Sequence, residues 1–131
     1  SMSPEGGGAP RAPGMKYRHY APRGSLMVVE GTPERVAAYV NRQAAFQRAA
    51  GEKTGVIATE EMHGQYGADV IKYIGSRDDE ESIARNLFAA LREFDDETVT
   101  IIYSESFSSE GLGQAIMNRL LKAAGHQVIQ V

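Results

Sequence analysis

Apolar residues in this chain fall into two rhythms, short unbroken runs and stripes at helical spacing, and the two alternate from residue 24 onward. Leu26-Met27-Val28-Val29, bounded by Gly24 and Gly31, predicts a buried strand. Thr32 then offers a helix cap with Pro33 at the first position and Glu34 beside it. There a missing N–H costs nothing and the helix dipole favours an acid. Val36, Tyr39, Val40 and Ala44 form that helix's apolar stripe, and Gly51 ends it. Residues 55–59, with Val56-Ile57-Ala58, predict the next strand, and residues 60–68 a polar connection. A third strand is expected over residues 69–74. A helix follows over 78–94, with Ile83, Leu87, Ala90, Leu91 and Phe94 on one face and Asp78-Asp79-Glu80-Glu81 at its positive end. Asp95-Asp96 is expected to break it. Residues 98–103 predict a β-branched strand, residues 111–124 a helix ending at Gly125, and residues 127–131 a last edge strand.

Strands apolar along their whole length and alternating with helices imply an α/β fold. The expected architecture is a small Rossmann-like, mainly parallel sheet with helices on both faces. Leu87, Leu91, Ile116 and Leu120 are expected in its core. At 131 residues the chain fits one such core, which residues 25–131 are expected to form. Residues 1–24, with Gly6-Gly7-Gly8 and three prolines by Pro13, read as a flexible linker. Ser1-Met2 reads as a cloning remnant, so the chain is expected to be a piece of a longer protein.

Charge sharpens that division. The net charge is −3, yet Arg11, Lys16, Arg18 and Arg23 against Glu5 leave +3 on residues 1–23 and hence −6 on the rest. A basic segment on an acidic globule is suited to meet an anionic ligand or surface, whereas the globule itself is not expected to bind tRNA directly. The chain has no cysteine, which excludes disulfides, thiolate metal sites and a cysteine nucleophile. No apolar run approaches the roughly 18 residues of a membrane span, and no signal-peptide core is present. A soluble, cytoplasmic protein without membrane partners is expected.

Candidate chemistry in the globule is sparse. Gly111-Leu112-Gly113-Gln114 opens a helix after a strand, but Ile116 stands where a dinucleotide fingerprint needs its third glycine. Glu105 and Glu110 nearby would repel phosphate, so close packing of the helix start is the stronger reading. His19, His63 and His126 have no metal-ligand spacing. Ser104, Ser106, Ser108 and Ser109 lack a nucleophile elbow and read as loop residues and a helix cap. Tyr66 and Tyr73 read as packing residues. Glu60, Glu61 and Glu105 follow predicted strands, at the edge where α/β folds collect ligands, and are candidates for a cleft or an interdomain contact. No catalytic constellation appears.

The densest signal lies before the globule. Over residues 13–22 Lys16, Tyr17, Arg18, His19 and Tyr20 stand between Pro13-Gly14 and Ala21-Pro22. Proline biases its surroundings toward extended geometry, so the segment reads as a stiff strap with a ring or charge at nearly every position. Apolar rings in a tail gain nothing unless they dock.

Pro13 to Pro22 resembles the interdomain linker of the two-domain bacterial and archaeal threonylcarbamoyl-AMP synthases. Two further stretches, Ile83 to Asp95 and Glu110 to Leu120, resemble that family's C-terminal domain, and the similarity runs in order from Pro13 to Ala124. The resemblance implies a parent enzyme of the nucleotidyltransferase class. It would condense L-threonine, bicarbonate and ATP, with Mg2+, into threonylcarbamoyl-adenylate for tRNA modification, working with other tRNA-modification proteins. In that family the chemistry resides in an N-terminal domain with a basic cleft, whose residues have no counterpart here. The chain is thus expected to be the regulatory or accessory domain, inactive alone and binding no cofactor. Its linker residues Tyr17, His19 and Tyr20, then Arg18 and Lys16, would cover the cleft of the N-terminal partner domain. The alternatives are a stand-alone nucleotide-binding module and a protein-interaction module.

Overall fold

The computed structural model describes residues 20–131, which form five strands and three helices. In chain order these are β1 (Ser25–Glu30), α1 (Pro33–Ala49), β2 (Thr54–Ala58), β3 (Val70–Tyr73), α2 (Glu80–Asp96), β4 (Ile101–Glu105), α3 (Gly111–Ala123) and β5 (Val128–Gln130). A single 3₁₀ turn, Glu60–Met62, lies in the connection between β2 and β3. All pairings are parallel, in the order β3-β2-β4-β1-β5. The fold is the expected α/β sheet with helices on both faces.

Side chains alternate across the pleat, so each strand feeds two layers. Leu26, Val28, Ile57 and Ile102 face α2 and α3, where they meet Ile83, Leu87, Leu91, Phe94, Ile116 and Leu120. All four residues expected in the core are buried. Val29, Val56, Ala58 and Tyr103 face the other way, onto Val36 and Val40 of α1 and onto Tyr66 from the connection before β3.

The helices start and stop for local reasons. Thr32 caps α1, its hydroxyl accepting from Arg35 N at 3.3 Å, with Pro33 at the first turn. Asp79 caps α2 by accepting from Ser82 N at 3.3 Å. Beyond α1 and α3, Gly51 and Gly125 take φ of 92° and 59°, a region costly for residues with a Cβ.

Three expectations are corrected. Asp95-Asp96 does not break α2, which runs through Asp96, because Asp95 is occupied as a hydrogen-bond acceptor and the turn at Thr98 (φ 58°) ends the helix instead. The following strand therefore begins at Ile101 rather than residue 98. The serine loop supplies no side-chain cap for α3: Glu110 is the capping residue and makes no such bond, while Ser108 Oγ accepts from Glu110 N at 3.1 Å.

Candidate functional site

Strand order fixes where a ligand can enter. After β1 the chain passes to the α1 face, whereas after the adjacent β4 it passes to the α3 face. Their divergence opens a crevice at the strand C-terminal edge, the usual ligand position in open α/β sheets. A cavity of about 510 Å³ lies there, between Gly31 and Pro33 after β1, Thr59 after β2, and Glu105 to Ser108 after β4. That volume is within the usual range of small-molecule pockets.

Glu105 organises its wall. The residue is 4% exposed, and four donors converge on its two oxygens. Thr59 Oγ1 at 2.9 Å and Arg77 Nη2 at 2.9 Å donate to Oε1; Thr59 N at 3.0 Å and the Tyr66 hydroxyl at 3.0 Å donate to Oε2. This uses the full acceptor capacity of a carboxylate. Tyr66 reaches it because Asn41 of α1 clamps the loop on both sides, donating to Gln65 O at 2.8 Å and accepting from Gly67 N at 2.9 Å. Burial first, and then the charge of Glu105, pushes the Tyr66 hydroxyl well above the ordinary tyrosine value, so it remains a donor.

Arg77 is held from three sides. Its guanidinium bridges to Glu105, lies 5.1 Å from the Phe107 ring centroid, and remains 43% exposed. Its backbone N donates to both oxygens of Glu61, at 3.2 and 3.1 Å, while Ser76 Oγ donates to Glu61 at 2.6 Å. The Ser76 hydroxyl, first among the causes, keeps the Glu61 carboxyl below the usual range and hence anionic near neutrality.

Of the expected residues, Glu61 and Glu105 thus meet in one wall, joined through Arg77. Glu60 is exposed, its backbone N donating to Gly75 O at 2.9 Å. Tyr66, read from sequence as packing, is also a hydrogen-bond donor to the site. Tyr73 is half-buried and tilted against His63, with ring centroids 4.8 Å apart. Sequence reasoning missed Arg77, Thr59 and Phe107. The available signal was positional, since Thr59 ends one predicted strand, Phe107 follows another, and Arg77 precedes a predicted helix. At Gly113 a Cβ would fall 2.8 Å from Glu80 Oε2 and from the Ser108 carbonyl oxygen, so this glycine permits close packing of the helix start. Among the described residues no three His, Asp or Glu side chains are grouped to hold a metal ion, and no helix is long and apolar enough to cross a membrane.

Tyr20 lies elsewhere, at the strand N-terminal edge. Its hydroxyl donates to Asp95 Oδ2, and Arg23 N donates to Asp95 Oδ1 at 2.9 Å. The ring packs against the core layer beneath α2 and α3, and Pro22 is buried. The end of the strap is therefore seated on the globule, because Asp95 and the adjoining apolar layer provide a surface for it. Lys16, Tyr17, Arg18 and His19 lie outside the described residues.

Comparison with known proteins gives a consistent assignment. The family model for the C-terminal domain of threonylcarbamoyl-AMP synthase matches residues 2–125. Threonylcarbamoyl-AMP synthase of Bacillus subtilis is 47% identical over 121 residues, covering 92% of this chain and 34% of that protein. The Pyrococcus abyssi protein of the same name is 46% identical with the same coverage. The chain thus spans about a third of the length of these curated relatives. The crystal structure of P. abyssi Sua5 complexed with L-threonine superposes with a TM-score of 0.77 at 46% identity, covering 92% of this chain and 34% of that one. The separate C-terminal Sua5 domain from Pyrococcus horikoshii gives 0.67 at 35% identity, covering 85% of this chain and 100% of the other. The chain belongs to the family of threonylcarbamoyl-AMP synthase C-terminal domains.

Proposed function

We propose that this chain is the accessory, regulatory part of a two-domain enzyme that makes threonylcarbamoyl-adenylate from L-threonine, bicarbonate and ATP for tRNA modification. The carrying observation is the match of 47% identity to a synthase of which the chain covers only 34%. On this reading the adenylate-forming groups and the site for ATP and Mg2+ belong to an N-terminal domain, which is this domain's partner. The parent acts as a nucleotidyltransferase in the cytoplasm beside other tRNA-modification proteins.

The linker's task follows from the chemistry. A carbamoyl-adenylate is readily hydrolysed, so water must be kept from it while it lives. Tyr17 and His19 are rings suited to covering a cleft, and Lys16 and Arg18 are suited to phosphate or carboxylate. Tyr20, seated on Asp95, supports a strap fixed at one end to this domain. A solved variant of P. abyssi Sua5 replaces an adjacent His and Tyr with alanine. In this chain that dipeptide occurs once, at His19-Tyr20. The test is pyrophosphate release from ATP by this chain alone, with threonine and bicarbonate supplied. No threonine-dependent release is expected, and any such turnover would defeat the division of labour.

A further inference from the structure

The cavity at the strand C-terminal edge has the construction of a ligand site. Glu105 is saturated by four donors and so has no capacity left for a ligand. Its effect is to fix Arg77. Only Nη2 of that guanidinium is engaged; its Nε and Nη1 have no acceptor among the described residues, although the side chain lines the cavity. An arginine held by a buried carboxylate through one Nη2–H, with its remaining N–H groups free, is preorganised for a second oxyanion.

The remaining lining narrows the class. Val36, Met62 and Phe107 offer an apolar surface for the body of a ligand. Glu61 and Glu105 share the wall with the one arginine, so a dianion would meet two carboxylates while gaining a single cation. We infer that this cavity binds a small organic monoanion, its carboxylate held by the free donors of Arg77 and its apolar body against Phe107, Val36 and Met62. Such a site gives the domain a means of sensing a metabolite. It stands independently of the linker's role, and either can fail without the other.

The test is an NMR titration of this chain, following the backbone amides of Gly31, Thr59, Arg77 and Ser106. The probes are benzoate, its neutral analogue benzamide, and inorganic phosphate. Benzoate should shift these amides saturably at about millimolar concentration, with benzamide and phosphate each weaker by about tenfold or more. Arg77→Gln should abolish the benzoate shifts. Ser106→Phe, which fills the cavity while keeping every donor and acceptor of the Glu105 network, should abolish them too and guards against misfolding of the first variant. Equal binding of benzamide, tighter binding of phosphate, or benzoate shifts surviving in a folded variant would each overturn the inference. So would the absence of saturable shifts, including a result in which only an added N-terminal catalytic domain perturbs these amides, which would mark the cavity as a domain-docking surface.

Discussion

A tyrosine donates to a carboxylate at each end of the sheet, and the two pairs are built differently. At the C-terminal edge, Tyr66 meets a Glu105 that is buried and already engaged by Thr59 and Arg77. At the N-terminal edge, Tyr20 meets a half-buried Asp95 whose other oxygen takes, among the described residues, the Arg23 N–H. A strand of five residues separates the edges by about 17 Å. The first pair is a closed network that makes a cavity wall rigid. The second is a clasp that seats the chain as it enters β1, and its groups can return to water when it opens. Rigidity therefore lies where a ligand would be recognised, and releasable contacts lie where the chain enters β1.

The largest expected effect of breaking this comparison comes from Glu105→Ala. It strands the Thr59 N–H, the Thr59 hydroxyl and the Tyr66 hydroxyl in a buried place and frees the part-exposed Arg77, and should cost about 3–5 kcal/mol in urea denaturation. A loss below about 1 kcal/mol would show that water already serves those donors and that the two ends are alike. Asp95→Ala should cost less, about 0.5–1.5 kcal/mol, because its partners are part-exposed and recover hydration. If Asp95→Ala proved the more damaging substitution, the clasp would be the structural element and the cavity wall the dispensable one.

The fold was legible because its signals were local. Val28, Ile57 and Ile102 sit in apolar runs bounded by turn residues, and the stripe from Ile83 to Phe94 fixes the buried face of α2. The site was legible only in outline. Glu61 and Glu105 could be placed at a sheet edge by position, but nothing near either residue announces that they share Arg77. Glu105 lies 28 residues from Arg77 and 39 from Tyr66, and the contact arises only when β4 inserts between β1 and β2. The end of α2 was misread for a related reason. Consecutive aspartates lower helix propensity locally, yet Asp95 is held by Tyr20, 75 residues away. Long-range pairing outweighed local preference at both ends of the sheet.

The smallest effect is in pH dependence, and it sharpens the comparison. Burial first, then the hydrogen bond and charge of Asp95, raises the Tyr20 hydroxyl to about 12, and Tyr66 is raised further still by burial and Glu105. Both protons are bound more tightly in the folded state. Their stabilisation is thus complete below the unfolded tyrosine value of about 10 and is lost as pH rises through the folded values. Glu61 and Asp69 are lowered, chiefly by the Ser76 hydroxyl and the Thr54 N–H, so their contribution is present above about 4 and is lost as pH falls through the folded values. Urea midpoints should therefore be flat near neutrality and decline in both directions. In Asp95→Ala, ultraviolet titration should find Tyr20 shifted only part of the way back toward about 10, because burial is the larger cause. No shift at all would mean that the clasp is open in solution.

Because Tyr20 packs on the core, replacing the linker rings cannot be expected to leave stability untouched, and activity must be read beside melting. The most direct measurement is the rate of threonylcarbamoyl-adenylate formation by the full parent chain carrying Tyr17→Ala, His19→Ala and Tyr20→Ala, compared with the parent carrying Asp95→Ala alone. Asp95→Ala loosens the clasp but keeps every ring, so it serves as the control for the stability change. The account predicts that the triple variant loses synthesis by about tenfold or more at a temperature where both variants remain folded, while Asp95→Ala loses far less. Full activity in the folded triple variant would contradict it and reduce the linker to a tether.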